Sequence, residues 1–353
     1  METKIPKSMI VGVLSVVPVK VTQHRKVRCI SVGDPVGAGV YRRTLNIVTY
    51  YKQEGESGGE RGWLFAGHFK ESLGKALAEQ PMLAGRLRRR EDGLEVVPND
   101  SGVRLVEARF PASLPEFLEM SKRDKSRAEA ESVFWIDIDE VDPRFSPLCY
   151  VQVTNFESGG YSIGISCSIL VADFIVGTDF LNKWAQIQSS LAHSQTRLKP
   201  IFHVPSVKQN LDIFVTDLTR SASVLDRGIS VVYQAKPCLK MSLACMKKAI
   251  VTCEKASVYV FLYIKEHGEN STECDGVKVE VRSRDEAISD CDCNDLEETG
   301  VGVLNASLAF EERSEGTSCW VGSVPKGLVF FLVPPTFEGN KSLVKFMFAL
   351  PKE

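Results

Sequence analysis

The sequence predicts an α/β fold from two neighbouring stretches. Residues Tyr161–Ser168 alternate apolar and polar side chains, which is typical of a strand with one apolar face. After Asp173 the period changes to that of an amphipathic helix. The apolar positions of that helix are Phe180, Trp184, Ile187 and Leu191. Strands and helices alternate in this way through the first half of the chain, which favours the α/β class.

The length and charge limit what the protein can be. The chain has 353 residues, of which 44% are hydrophobic and 25% charged, as in an ordinary globular protein. This length predicts two lobes, and we place them at residues 1–191 and 211–353, with a crossover segment at 192–210. The net charge of −2 argues against a nucleic-acid partner, because such binding depends on neutralising phosphates.

Cysteine usage and hydropathy indicate a cytoplasmic protein with reduced thiols. None of the 10 cysteines forms a C-x-x-C pair. Cys274, Cys291 and Cys293 come nearest to a metal motif, but we expect no metal site there. No stretch approaches the ~20 apolar residues of a membrane span. Met9–Val19 could be the core of a signal peptide, but Pro18 interrupts it, so we expect a first strand.

Further elements follow from the same patterns. The segments Arg43–Tyr51 and Leu148–Asn155 are predicted strands, and Leu114–Ser121 is a predicted short helix. Residues 93–98 and 103–108 are predicted to pair as a hairpin through the turn at 99–102. The arginines that follow Pro81 are expected on a solvated face, with a polyanion patch as the alternative. They are Arg86, Arg88, Arg89 and Arg90.

Several segments, in order, resemble the signatures of plant BAHD acyltransferases. They begin with a helix and the sequence that follows it, Phe69–Leu77 and then Pro81–Leu87, which is similar to the family's P-x-L-A-G-R-L. Next come the turn and strand of Asn99–Ala108, which contains V-E-A. Last come Pro147–Phe156 and then Gly159–Gly160, which resemble the strand pair that leads to the family's catalytic motif. Each piece is weak alone, but the ordered set covers about residues 8–190 and is specific.

The resemblance implies a two-lobed α/β fold of the chloramphenicol-acetyltransferase type, with a channel between the lobes. The family transfers an acyl group from coenzyme A to an alcohol or amine. It holds no permanent cofactor, and acyl-CoA is a substrate. The histidine of its H-x-x-x-D motif is the general base that removes the acceptor's proton, which requires a pKa near the working pH. The motif's aspartate mainly orients the loop.

This sequence departs from the motif at the base. Asp173 matches the aspartate, but Ile169 stands at the histidine position, and isoleucine cannot transfer a proton. No histidine occurs between His68 and His193. The second motif, D-F-G-W-G, is eroded, although Trp320 resembles the tryptophan that commonly follows it. The chain is also shorter than typical members, and we expect the shortening in the second lobe.

Each candidate residue has a structural and a functional interpretation. For Asp173 we expect a loop-orienting role rather than proton transfer. Ser166 and Ser168 are expected to be strand hydroxyls, since no base adjoins them in sequence; the alternative is a nucleophile or substrate contact. Trp320 is expected in the core, with a ligand platform as the alternative. The five histidines are scattered, and a substitute base among them is the alternative to losing the base. They are His24, His68, His193, His203 and His267.

The chain's opening is similar to that of the eceriferum (wax-deficient) members, at Leu14–Pro18, Val21–Thr22 and Lys26–Val27. That subgroup is linked to very-long-chain fatty-acyl elongation for wax, beside a condensing enzyme at the endoplasmic reticulum. The sequence therefore predicts a non-catalytic or accessory acyl-binding protein, cytoplasmic or at the reticulum surface, with such an enzyme as partner. The alternatives are an active acyl-CoA-dependent O- or N-acyltransferase with a substitute base, and a degraded member without an acyl ligand.

Overall fold

The computed structural model describes most of the chain. The described residues are 5–23, 26–33, 39–52, 61–91, 93–157, 159–176, 179–194, 220–236, 241–253, 255–265, 276–289, 297–303, 314–333 and 343–351. Within these ranges the chain forms fifteen strands and seven α-helices. The α/β class predicted from the sequence is confirmed.

The strands are numbered in chain order. They are β1 Met9–Val16, β2 Arg28–Val32, β3 Thr44–Tyr51, β4 Arg86–Arg90, β5 Gly93–Val97, β6 Val103–Ser113, β7 Cys149–Glu157, β8 Tyr161–Ser168, β9 Arg227–Ala235, β10 Val258–Lys265, β11 Gly276–Ser283, β12 Glu298–Val303, β13 Ser314–Gly322, β14 Leu328–Val333 and β15 Val344–Pro351. The helices are α1 Arg61–Leu77, α2 Leu114–Arg123, α3 Lys125–Ala130, α4 Asp173–Val176, α5 Phe180–Ser194, α6 Met241–Thr252 and α7 Arg284–Ser289.

Local sequence accounts for several of these boundaries. Pro81 follows α1 closely and opens a short 3₁₀ turn, because proline cannot continue a helix. Helix α2 begins at a capping box, in which the Ser113 hydroxyl and the Glu116 carboxylate each bond the other residue's backbone N–H. Helices α1 and α5 pack together, and the Trp184 indole N–H donates to the Ser72 hydroxyl at 2.9 Å. The predicted first strand is confirmed as β1.

The strands form one hydrogen-bonded path. Its order is β1-β6-β7-β8-β3-β13-β9-β15-β14-β10-β11-β2-β5-β4, and β12 pairs with β9 beside this path. Pairing is parallel in β6–β7, β10–β14 and β11–β2, and antiparallel in the other pairs of the path. Strands therefore cross between the two halves of the sequence: β2, β4 and β5 extend the sheet beyond β11, and β13 lies between β3 and β9.

The lobe boundary near residue 191 stays a prediction. Helix α5 continues to Ser194, so the expected crossover at 192–210 begins inside a helix. Residues 195–219 of that segment lie outside the described residues.

The predicted hairpin is wrong. Strands β5 and β6 both exist, but β5 pairs with β2 and β4, whereas β6 pairs with β1 and β7. The intervening residues carry the chain from one part of the sheet to another, through positive φ angles of 58° at Asp100 and 84° at Gly102.

The solvent-exposed position expected for the four arginines is also wrong for Arg86. Its buried guanidinium donates to the carbonyls of Gly85, Ser101 and Gly102 and so holds this segment.

Candidate functional site

The candidate site is the loop between strand β8 and helix α4. Strand β8 is buried along its whole length, and a 3₁₀ turn over Ile169–Val171 follows it. The backbone N–H of Ser168 donates to the Leu148 carbonyl at 2.8 Å, and that of Ile169 donates to the Arg43 carbonyl at 3.0 Å. These bonds fasten the beginning of the loop to both neighbouring strand regions.

A partly buried ion pair fastens the end of the loop. The guanidinium of Arg28, on β2, donates to both carboxylate oxygens of Asp173 at 2.7 and 2.8 Å. The same guanidinium donates to the Leu170 carbonyl at 3.1 Å and lies 4.1 Å from the ring centroid of Phe174. Arg28 is 3% exposed. A two-pronged pair of this kind fixes orientation as well as distance. The loop-orienting role of Asp173 stays a prediction.

Ile169 occupies the position of the expected base and is completely buried. The alternation of the strand puts Ile163, Ile165 and Cys167 on one face of β8. Ile169 follows in the 3₁₀ turn and lies in the same buried core cluster. Two thiols lie on this face, because Cys149 stands directly opposite Cys167 on β7. Burial raises the pKa of the Cys149 thiol to about 12 and that of Cys167 well above its ordinary value. Neither thiol can therefore replace the missing histidine near neutral pH.

The five histidines leave no structural evidence for a substitute base. His24, His203 and His267 lie outside the described residues. His68 and His193 lie on α1 and α5, in turns whose side-chain placement the structure does not describe. A histidine base from elsewhere in the fold stays a prediction.

Ser166 and Ser168 lie on the face of β8 opposite to Ile163, Ile165 and Cys167. The Ser166 hydroxyl donates to the Asn46 side-chain oxygen at 2.7 Å, and the Asn46 amide donates to the Thr44 hydroxyl at 2.8 Å. The Ser168 hydroxyl accepts from the Leu170 N–H at 3.4 Å and caps the 3₁₀ turn. Both hydroxyls therefore have structural partners.

Residues 129–135 cover this polar face of β8. Gly164 faces them so closely that a Cβ at this position would lie 1.9 Å from the Ser132 carbonyl oxygen. Directly opposite Gly164 on β7, the Gln152 amide donates to the Glu131 carbonyl at 2.8 Å. Glu131 in turn pairs with Arg220 at 2.6 Å. The polar residues of β8 thus face a second protein layer and not solvent.

Trp320 lies in the sheet itself, on β13. It stands opposite Asn46 of the neighbouring strand β3 and is 2% exposed. Its indole N–H donates to the Val224 carbonyl at 3.1 Å. The Arg227 guanidinium lies 3.7 Å from the centroid of its ring and pairs with Glu129 at 2.5 Å. Arg227 therefore covers one face of the indole, so the structure favours the core interpretation of Trp320 over a ligand platform.

Sequence reasoning missed Arg28, Glu129 and Arg227. For Arg28 a signal existed, because it shares the buried face of β2 with Ile30. A buried charge is costly unless an opposite charge or a hydrogen-bond acceptor pairs with it. We find no such signal for Glu129 and Arg227, which lie in charged or mixed segments. Among the described residues, no cluster of three or more histidine, cysteine or acidic side chains could hold a metal. Cys274, Cys291 and Cys293 lie outside these residues.

Comparison with known proteins identifies the class. Residues 17–223 match the model of the Transferase family. The chain belongs to this family, the BAHD acyltransferases, and the resemblance stated from the sequence is confirmed. The α/β fold class that came with the resemblance is confirmed too.

Two relatives illustrate the match. A hydroxycinnamoyltransferase of Narcissus pseudonarcissus is 36% identical over 123 residues, which are 35% of this chain and 27% of the relative. Protein ECERIFERUM 26-like of Arabidopsis thaliana is 34% identical over 118 residues, 33% of this chain and 27% of the relative. The matched region thus spans little more than a quarter of each relative.

Solved structures give weaker likenesses. Vinorine synthase is 14% identical with a TM-score of 0.43, and the match covers 98% of this chain and 94% of that one. F. graminearum TRI101, solved with coenzyme A and T-2 mycotoxin, is 11% identical with a TM-score of 0.40, covering 90% and 93%. Both scores are low, so the family assignment rests on the sequence match. In the described part of the chain, no helix is long and apolar enough to cross a membrane.

Proposed function

We propose that this protein is a non-catalytic, acyl-binding member of the BAHD family. One observation carries the proposal: Ile169, at the position where the motif alignment predicts the general base, is fully buried. The loop around it is otherwise well formed, because Arg28 and Asp173 hold its far end with a two-pronged ion pair. This loop is thus held in place although residue 169 offers no proton-transfer group.

The side chains nearest to the loop support this interpretation. Asp173 is engaged by Arg28, so its oxygens are directed to the guanidinium and not to an acceptor. Cys167 is held neutral by burial, which raises its pKa. The Ser166 and Ser168 hydroxyls lie on the other face of β8. Loss of general-base catalysis typically lowers a rate by roughly 10²–10⁴-fold, and nothing in this set replaces it.

We propose acyl-CoA as the ligand, because the family's reaction uses an acyl thioester of coenzyme A. The similarity to an ECERIFERUM 26-like protein supports very-long-chain fatty acid or wax metabolism as the setting. A condensing enzyme of elongation as partner, and a location at the surface of the endoplasmic reticulum, stay predictions. The competing proposal is an active acyltransferase, and the similarity to hydroxycinnamoyltransferases is the observation that favours it.

Two measurements on the natural sequence test the proposal. The first is calorimetric titration with acyl-CoAs of increasing chain length, with free coenzyme A as the control. We expect saturable binding that strengthens with the acyl chain, since each buried CH₂ contributes roughly 0.8 kcal/mol. An absence of binding to every acyl-CoA would overturn the acyl-binding role and favour a degraded family member.

The second measurement is release of free coenzyme A in the presence of alcohol and amine acceptors. Chromatography should detect the product, because thiol reagents would also react with the protein's 10 cysteines. We expect no turnover above background. Turnover abolished by changing one histidine would show a substitute base and overturn the non-catalytic reading. Turnover that survives changes of Asp173 and of all five histidines would overturn it as well, and would place the chemistry elsewhere.

A further inference from the structure

Two free thiols face each other where the candidate loop between β8 and α4 begins. Cys149 on β7 and Cys167 on β8 are direct partners in the antiparallel pair, and both are buried. Cys167 precedes Ile169, the first residue of the 3₁₀ turn, by only two positions. A covalent bond between the two sulfur atoms would therefore join the two strands directly before the loop.

The backbone hydrogen bonds show that the two cysteines stand close enough for such a bond. The Ser168 N–H donates to the Leu148 carbonyl at 2.8 Å, so the ladder bonds lie on this pair. Cys149 and Cys167, the next pair along, are then a non-hydrogen-bonded pair, in which the Cα atoms lie about 4.5 Å apart and the side chains approach closely. A disulfide spans Cα separations of roughly 4.4–6.8 Å. The bond can therefore form without a large movement of either strand.

A third buried thiol near this pair cannot take the place of either partner. Cys319 lies on β13, and strand β3 runs between β13 and β8. Two strand spacings separate its Cα from that of Cys167 by about 9.4 Å or more. Cysteines whose Cα atoms are more than about 7 Å apart cannot be bridged without backbone movement. The sheet order thus selects Cys149 as the partner of Cys167.

We propose that Cys149 and Cys167 are an oxidative modification site, at which a small peroxide joins them in an intrachain disulfide that links β7 to β8. The thiolate of one cysteine attacks the O–O bond of hydrogen peroxide, which gives a sulfenic acid and, with a proton, water. The second thiol attacks the sulfenic sulfur, the S–S bond forms, and a second water leaves. Two thiols thus lose two electrons and two protons to one peroxide. The reaction does not depend on whether the protein binds an acyl ligand.

Burial determines how fast the disulfide forms and how long it lasts. It raises the pKa of both thiols, and the neighbouring Asp173 and Cys319 raise that of Cys167 further, against a backbone hydrogen bond at Leu45 that lowers it. The thiolate is the reactive form, so oxidation is slow near neutral pH and accelerates as the pH rises. Burial also keeps a thiol as large as glutathione away from the finished bond. The site therefore responds slowly to oxidation, and the disulfide persists in the folded protein.

Peptide mapping of the unmodified protein tests the proposal. The protein is treated with hydrogen peroxide at about pH 9 and digested without reductant. Trypsin leaves both cysteines on the peptide 145–183, which contains no other cysteine, and a glutamate-specific protease cuts between them at Glu157. We expect the two fragments to stay linked until they are reduced. Sulfinic acid at either cysteine without a link, a link to any other cysteine, or no link at all would overturn the proposal.

Matched variants show whether the register selects the pair. Cys167→Ala should leave Cys149 without a disulfide, whereas Cys319→Ala, which removes a buried thiol two strands away, should leave the link intact. Loss of the link in both variants would contradict the assignment of the pair, and so would a link from Cys149 to another cysteine in Cys167→Ala. If circular dichroism shows that Cys167→Ala is unfolded, Cys149→Ala takes its place.

Urea denaturation tests whether the bond holds the strands in their native arrangement. A disulfide that fits the native geometry restricts the unfolded chain, so the oxidised protein should unfold at a higher urea midpoint than the reduced protein. Glutathione should leave this higher midpoint unchanged when it is added to the folded protein, and should abolish it when added in urea. An equal or lower midpoint for the oxidised protein would refute the link between β7 and β8, because it would mean that the bond distorts the sheet.

Discussion

The two faces of strand β8 are equally buried but are stabilised by different interactions. One face carries Ile163, Ile165 and Cys167. The other carries hydroxyls and a glycine, and is covered by a layer that contains the ion pairs Glu129–Arg227 and Glu131–Arg220. Apolar packing is tolerant of small changes of shape, whereas a buried polar layer requires that its partners stay complete. The motif alignment predicts the family's base at Ile169, directly after β8.

The comparison predicts the largest loss where a buried charge loses its partner. Arg227→Met leaves Glu129 buried with the Ser318 hydroxyl at 3.0 Å and Lys125 at 3.8 Å. We expect the free energy of unfolding to fall by about 3–5 kcal/mol, measured by urea denaturation. The double variant Glu129→Leu with Arg227→Met should lose less than Arg227→Met alone, since it removes both charges. An exposed pair is the control: Lys183→Met, opposite Glu79, should cost under about 1 kcal/mol. Equal costs for the two single variants would contradict the comparison.

The next largest effect concerns the close approach at Gly164. In Gly164→Ala the new methyl group would displace the Ser132 carbonyl. That carbonyl belongs to the backbone, which cannot move aside as a flexible side chain can. We expect a loss of about 3 kcal/mol, at the upper end for overpacking. Gly316→Ala is the matched control on β13, because a Cβ there meets nothing within 4 Å. Thermal unfolding of both variants should show a large drop for the first and almost none for the second. A small drop at Gly164 would mean that the covering layer is loosely held.

A smaller effect is expected when the base is restored on the apolar face. Ile169→His buries an imidazole where the loop offers it the Arg28–Asp173 pair and apolar neighbours. We expect about 2 kcal/mol of destabilisation, increasing below about pH 6.5 because the unfolded chain then binds a proton more readily. Ile169→Val is the control for shape. Acyl transfer gained by the histidine variant and not by the valine variant would show that residue 169 is the position of the general base. A histidine variant as stable as the natural protein would show that the site already accepts a polar group.

The smallest effect is the pH dependence of the buried thiols. Burial raises the pKa of Cys149 to about 12, so folding favours the neutral thiol. This contribution is complete below the unfolded pKa of about 8.5 and is lost as the pH rises towards the folded value. Between about pH 8 and 9.5 stability should fall by about 1 kcal/mol per thiol. In Cys149→Ala the fall over this interval should be about 1 kcal/mol smaller than in the natural protein. An unchanged slope would show that Cys149 is solvated in the folded state.

Much of the fold could be predicted because its signals are local. The alternation along residues 161–168 predicted a strand, the spacing from Phe180 to Leu191 predicted a helix, and the motif order predicted the family. The absence of a histidine at position 169 was likewise visible in the sequence. Period and spacing report which side chains share a face of one element, and they do so without reference to the rest of the chain.

What the sequence by itself could not determine is what each face meets. It predicted polar alternation on β8 but not that both faces are buried, and it predicted strands β5 and β6 but not that they pair elsewhere. The partners of the site lie far apart in the chain, 145 residues for Arg28 and Asp173, 120 for Asn46 and Ser166, and 98 for Glu129 and Arg227. A buried charge must find a partner, but any arginine or carboxylate within reach satisfies that need. Only the tertiary structure decided the choice, because the sheet order brings β2 to the loop of Asp173 and β13 between the two halves of the chain.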